Sequence, residues 1–590
     1  MMFGGLTAAL TVGMVTALAD SDNSTARRFP TATPIKHLVV IFQENVSFDH
    51  YFGTYPTAQN NAGETPFHAS PKTPTSINNL VTPLDTTNGF VPLVGVDLIN
   101  NNPNNNPSAP GNGRTNDGGA ANPFRLSPAQ AGTNDQGHNE SPEESAYDNT
   151  KMDGFPAWVG TAGPPPAGPP AATATKGLVM GYFDGNTVTG LWNYAQFFAL
   201  NDNSYTSQFG PSTPGALNLI SGQANGFSAI NNNVVDSMGH LIKPTHEAFA
   251  DPSNNPCNLT PIGDGDPLYD TCSNPKIDQV TMAGRNIGDL LNLAGVTWGW
   301  FEGGFDLTIT NPNGTTLCAC STPATAPGVP FTSTDYIPHH QPYQYYASTR
   351  NPTHARPASV AAIGHSFIPG THTPEPANHQ YDSHDFFDAL AAHNLPAVTF
   401  LKAPAYQDGH AGYSDPLDEQ YFLVQVINAL QQGPEWETTA VIIAYDDSDG
   451  WYDHQMPPVV NPSFNATVDT LNGVGTCNHG FQQGTPTPAT PLAGNNGQPA
   501  NGRCGYGTRM PLFVISRFAK FNYIDHTLTD QSSVLRFIED NWLNSDRIQP
   551  LGSFDTIAGP LDNMFDFSRN HQRGRPGRVF LDPVTGVVIP

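Results

Sequence analysis

Adjacent carboxylates at the end of an apolar run repel each other unless a proton or a cation lies between them, and this chain has such a pair at Asp446 and Asp447. They follow Val441-Ile442-Ile443-Ala444-Tyr445, and Asp449, Gly450 and Asp453 continue into a turn. A second apolar run, His37-Leu38-Val39-Val40-Ile41-Phe42, also ends in oxygen donors: Gln43, Glu44 and Asn45. If the two runs are neighbouring strands, Glu44, Asn45, Asp446 and Asp447 make an oxygen-only site. Such a site suits a hard divalent cation rather than a thiolate-bound zinc. The expectation is therefore one oxygen-ligated divalent metal ion, its identity open.

A nucleophile for that site is less visible. Ser212 lies in Phe209-Gly210-Pro211-Ser212-Thr213-Pro214-Gly215, ahead of a helix predicted from Ala216 through Leu219. A hydroxyl near a helix N-terminus stands where anions bind well. Turns of Ser, Pro and Gly are common, so the spacing alone says little. No G-x-S-x-G elbow surrounds it, which disfavours a Ser-His-Asp hydrolase.

The elements that would position these residues alternate clearly in the second half. A helix is predicted from Asp382 to Ala392, followed by a strand from Ala397 to Leu401. Another helix runs from Pro416 to Gln432, with Asp415 as N-cap and Gly433 as terminator, and feeds the strand ending at Asp446. Leu512 to Ile515 reads as a strand and Gln531 to Trp542 as an amphipathic helix. This rhythm predicts an α/β fold, a doubly wound, mostly parallel sheet with helices on both faces. In open sheets of that kind, ligands bind beyond the carboxyl ends of the strands.

Composition bounds the rest. Gly and Pro number 56 each in 590 residues, which predicts long loops around the core. Charged residues make up 13% and the net charge is −27, which argues against nucleic acid and against an electrostatic grip on anionic membrane. Tracts at 100–123, 160–177 and 484–503 lack periodicity and read as surface excursions or mobile loops. None marks a boundary, so residues 20–590 read as a single domain with loop-rich insertions and a short C-terminal tail. Residues 1–19 end in Ala17-Leu18-Ala19 and read as a signal peptide, so export is expected. No later stretch is apolar and long enough for an integral membrane segment. Six cysteines in an exported chain suggest disulfides. Proximity pairs Cys257 with Cys272 and Cys477 with Cys504, and zinc at Cys318 and Cys320 is disfavoured because no second pair accompanies them.

Seven stretches then share an order with a known family. ENVSFDHYFG, TKMDGF, FGPSTPG, RNIGDLLNLAGVTWGW, HHQPYQYYAST, LKAPAYQDGHAGYSDP and AYDDSDGWYDH resemble the bacterial acid phosphatase and phospholipase C family of the alkaline-phosphatase-like superfamily. The resemblance covers roughly 35–542 and implies an alkaline-phosphatase-like core with one metal held by Glu44, Asn45, Ser212, Asp446 and Asp447. It implies Ser212 as nucleophile, with His340 and His410 catalytic and His138 and Asn45 facing the phosphate; His339 is an alternative to His340. A metal lowers the pKa of a hydroxyl it holds, so a phosphoserine intermediate is expected. Cationic His138, His340 and His410 would supply charge, which predicts an acidic or near-neutral optimum.

The substrate is then a phosphate ester, with transient lipid contact at most. Ser after Gly210-Pro211, and the short stretch beyond Trp542, resemble the acid phosphatase branch, which hydrolyses monoesters. The alternative is a phospholipase C acting on phosphocholine-type headgroups. That reading needs an aromatic cage for the quaternary ammonium, for which Trp298, Trp300, Tyr343, Tyr345 and Tyr346 are the candidates.

Overall fold

The computed structural model describes residues 29–87, 89–162, 170–230, 248–250, 259–309, 318–479, 488–568 and 577–590. The stretch read as a signal peptide and Cys257 lie outside them. The main sheet has nine strands. In chain order they are β1 (His37–Gln43), β2 (Ala199–Tyr205), β3 (Trp298–Glu302), β4 (Gln380–Asp382), β5 (Val398–Lys402), β6 (Thr439–Tyr445), β7 (Arg509–Ser516), β8 (Tyr523–Asp525) and β9 (Thr529–Asp530). The described helices of eight residues or more are α1 (Glu140–Tyr147), α2 (Thr189–Phe197), α3 (Ser212–Ser221), α4 (Ile287–Ala294), α5 (Ser383–Ala391), α6 (Pro416–Gln432) and α7 (Ser532–Trp542).

Across the sheet the order is β4-β3-β5-β1-β6-β7-β2-β8, with β9 also paired to β2. Every pairing is parallel except those of β7, which runs against both β6 and β2. Strands β1, β5 and β6 are buried along their whole length, as continuous apolar runs require when both faces are covered. Alternate side chains of β3 show the two layers. On one face Phe301 packs against Phe386 of α5, ring centres 6.0 Å apart. On the other, Trp298 and Trp300 meet Tyr343 at 4.7 and 5.8 Å, and the Trp298 indole donates to Asn292 of α4 at 2.9 Å. The doubly wound, mostly parallel sheet is therefore present.

Local signals explain the helix ends. The Asp415 carboxylate accepts the Leu417 and Asp418 amides at 2.8 and 3.1 Å, and Pro416 follows it, so α6 starts where its N-cap predicts. Helix α3 begins at Ser212, four residues earlier than expected. Pro214 would break a helix interior, but in a first turn its missing N–H is no loss. Gly210, at φ 119°, supplies the left-handed turn that lets the chain enter the helix.

Two loop expectations change. Cys477 does pair with Cys504, but Cys272 pairs with Cys318, and Cys320 has no disulfide partner among the described residues. Nearness in sequence misleads there because folding brings the Asp270 turn against the segment 46 residues later. The Asn-rich tract is pinned rather than loose. Asn104 is buried, donating to Met152 O at 2.7 Å and accepting from Phe155 N at 2.9 Å, while Asn102 donates to the Tyr452 hydroxyl at 2.9 Å.

Candidate active site

Strands β1 and β6 are neighbours, parallel, with Gln43 opposite Tyr445. Glu44 and Asp446 therefore leave the sheet side by side, and the two oxygen-bearing runs become one site. The Asp447 amide donates to Asp446 Oδ1 at 2.8 Å and the Asp449 amide to Asp447 Oδ1 at 2.6 Å, which winds the acidic turn tightly. Strand β2 ends at the same edge and leads through residues 206–211 into α3. The start of α3 is pressed so close to β6 that a Cβ on Gly215 would collide with the Asp446 carbonyl. The Ser212 hydroxyl thereby reaches Asp447 Oδ2 at 3.1 Å and Glu44 Oε2 at 3.3 Å.

The charges around it are strongly biased. Lys402, the last residue of β5, forms an ion pair with Glu44 Oε1, and His340 Nδ1 lies 3.3 Å from the same oxygen. Against the cost of burial, His340 and Lys402 hold the Glu44 carboxyl well below its usual range. Burial pushes Asp446 well above that range, helped by repulsion from Glu44 and Asp447. Burial also lifts Asp447 to about 7, although His138 pulls the other way. Among the described residues, Asp446 Oδ2 and both polar atoms of buried Asn45 have no hydrogen-bond partner. Asn45 sits at φ 33°, a left-handed conformation that asparagine tolerates. Unpaired buried oxygens beside three carboxylates fit an oxygen-ligated divalent cation.

Above Ser212 opens a cavity of about 330 Å³, lined by His138, His339, His340, His410 and Tyr413 among others. His138 Nδ1 lies 3.0 Å from Asp449 Oδ1, and its ring is 6.1 Å from that of His410. His410 stacks on Tyr413 at 4.3 Å. Both members of the His339–His340 pair reach the cavity wall, but toward different carboxylates: His340 to Glu44, His339 to Asp266 at 3.3 Å. The expected trio of cationic histidines is not what these surroundings favour. His138 is pushed well above its ordinary value, because Asp447 and Asp449 outweigh burial. Burial pushes His340 and His410 down, and for His340 the Lys402 ammonium adds to it. His339 is raised to about 9, as Asp264 and Asp266 overcome burial.

The residues named as candidates for an aromatic cage do not form one. Trp298, Trp300 and Tyr343 are 0% exposed, and Tyr345 and Tyr346 are 1% exposed, all in the hydrophobic core. The aromatic side chains on the cavity wall are Phe331 and Tyr413. Sequence reasoning missed Lys402, Asp264 and Asp266, and also Asp408, whose carboxylate groups with Glu44 and His340. Lys402 alone carried a signal, a charge ending the apolar run Val398-Thr399-Phe400-Leu401.

The Phosphoesterase family model matches residues 35–543. Over 189 residues the chain is 30% identical to the non-hemolytic phospholipase C of Pseudomonas aeruginosa, covering 32% of this chain and 26% of that protein. Over 193 residues it is 24% identical to phospholipase C A of Mycobacterium tuberculosis, covering 32% of this chain and 34% of that protein. These matches span about a quarter to a third of the relatives' own length. Among solved structures, murine ectonucleotide pyrophosphatase / phosphodiesterase 5 aligns at 12% identity over 64% of this chain and 94% of its own, with a TM-score of 0.26. With its family model spanning the sheet and every residue of the acidic site, the chain belongs to the Phosphoesterase family, hydrolases of phosphoric ester bonds.

Proposed function

We propose that the protein is a phosphodiesterase of the phospholipase C type, cleaving a phosphate ester with a cationic headgroup and using Ser212 as nucleophile. The observation that carries this is the Ser212 hydroxyl on the floor of a cavity whose wall includes Asp135, Asp264 and Asp266. A phosphate monoester brings about 1.5 to 2 negative charges at pH 7, a diester one. Wall carboxylates repel the first more strongly and attract a quaternary ammonium without an aromatic cage. The aligned relatives are named phospholipase C, which supports a diester over a monoester. The resemblance to the acid phosphatase branch, carried by Ser212 after Gly210-Pro211, favours monoesters, and that is the second reading.

In this mechanism Ser212 donates its hydrogen to Asp447, which turns the hydroxyl lone pair toward the cavity. Attack passes that proton to Asp447, forms the Oγ–P bond and breaks the bond from phosphorus to the alcohol oxygen, which takes a proton from solvent in the open cavity. His138, kept protonated by its aspartates, stabilises the phosphoryl oxygens. Water then cleaves the phosphoserine. His410 Nδ1 faces the Ala411 carbonyl, which makes that nitrogen the donor and leaves Nε2 to accept the proton of the attacking water. A divalent cation held by Glu44, Asn45, Asp446 and Asp447 would supply positive charge where negative charge builds on the phosphoryl group. Export and transient contact with a lipid surface belong to the same proposal. Among the described residues no helix is long and apolar enough to cross a membrane.

The test is a pair of chromogenic substrates, p-nitrophenylphosphorylcholine and p-nitrophenyl phosphate. A higher kcat/KM on the choline ester is expected. A preference for the monoester would overturn the headgroup reading and restore the acid phosphatase one.

A further inference from the structure

Helix α3 carries the proposed nucleophile on its first residue, yet nothing local caps it. Its N-cap is Pro211, whose ring offers no oxygen, and Pro214 in the first turn has no N–H. The Gly215 amide turns back to the Pro211 carbonyl. The Thr213 amide, one residue beyond the nucleophile, is met from outside the helix: it donates to Asp264 Oδ1 at 2.9 Å. Asp264 and Ser212 line the same cavity.

An anchored turn delivers this carboxylate. The hydroxyl of buried Tyr345 donates to the Gly265 carbonyl at 2.6 Å. The Asp266 amide donates to Asp278 O at 2.9 Å, and Asp266 Oδ2 accepts the Asn274 amide at 2.6 Å. Against the cost of burial, Asp264 and Asp266 keep His339 protonated beside them. The contact matters because of where it falls. An amide at a helix N-terminus, next to a nucleophile, is well placed to receive a phosphoryl oxygen. A carboxylate oxygen and a phosphoryl oxygen accept the same hydrogen, so each excludes the other from the Thr213 amide.

We propose that Asp264 is a specificity-determining residue, a carboxylate that competes with phosphoryl oxygens for the Thr213 amide and so disfavours phosphate monoesters on the site. Its use rests on the diesterase reading above. Cleavage through Ser212 leaves the headgroup on phosphorus, and water then takes the place of Ser212 Oγ, so the released product is itself a monoester. The substrate arrives with one negative charge on its phosphate and the product leaves with up to about two. At equal distance Asp264 repels the dianion about twice as strongly. Return of Asp264 to the amide therefore clears the product while admitting the next diester.

The test is inhibition by inorganic phosphate, read as Ki for the full-length protein and for Asp264→Asn, Asp264→Ala and Asp266→Asn. Both Asp264 variants should lower Ki about tenfold or more, the scale of one hydrogen bond to a charged group. Asp266→Asn takes the same charge from the same wall without freeing the amide, and should lower Ki less. A residue that only caps α3 would lower Tm when replaced and leave Ki where it was. An unchanged Ki in the Asp264 variants, or an equal fall in Asp266→Asn, would overturn the proposal. Ki is read against p-nitrophenylphosphorylcholine, or against p-nitrophenyl phosphate if the protein prefers it. A failure of the diester reading thus shows in the substrate preference, and a failure of this proposal in Ki.

Discussion

Ser212 occupies the first position of α3 with its hydroxyl shared between Asp447 and Glu44, so removing it should take away the attacking atom and leave the packing nearly intact. Ser212→Ala is expected to lower kcat at least ~10³-fold, the scale seen when a positioned nucleophile is lost. Ser212→Thr keeps the hydroxyl and should retain part of the activity. Two successive in-line displacements also predict retention of configuration at a chiral phosphorus. Inversion would exclude the phosphoserine. At this scale the carboxylates are legible in the sequence, because acids closing buried apolar strands have few other uses. Lys402 is legible only as a charge closing an apolar run, and Asp408 not at all, since one aspartate has no spacing to betray it. The histidine charges are misread for a physical reason: burial depth and the Lys402 ammonium decide the protonation of His340, and neither is written in its neighbours.

Helix α6 shows what an element can be asked. Its Glu419 is buried and accepts the Tyr51 and Tyr445 hydroxyls at 2.9 and 2.8 Å, and burial pushes its carboxyl up to about 8. An unfolded glutamate releases its proton near ~4.3. Between those values the folded chain holds a proton that the unfolded chain has lost. The stability from this group is therefore complete at acid pH and falls as pH rises, by at most about 1.4 kcal/mol per pH unit. Glu419→Gln cannot ionise and should flatten that slope. The Tm of the variant relative to the parent should rise between pH 5 and 8, and a constant difference would show that Glu419 does not titrate there. The boundaries of α6 are readable because Asp415, Pro416 and Gly433 are capping signals. The start of α3 is not, since Pro214 has opposite meanings inside a helix and in its first turn. Strand adjacency is out of reach altogether, because β1 and β6 pair across some four hundred residues.

Over the whole molecule, the charge of −27 bears on where the enzyme can work. If the substrate is a phospholipid, zwitterionic vesicles should be hydrolysed faster than vesicles doped with anionic lipid, and added salt should narrow the gap by screening. Equal rates at low salt would mean that the cavity approaches the surface through a neutral patch. The order of the sheet has a consequence in time as well as in space. Strand β1 lies between β5 and β6, so the first central strand made by the ribosome waits for partners drawn from the last third of the chain. Until Lys402 has emerged, its apolar faces and both its edges are unpaired. Such a strand is a natural ligand for whatever holds nascent chains open. The same delay postpones the acidic site, since Glu44 and Ser212 do not meet the Asp446–Asp447 pair until synthesis has passed Asp447.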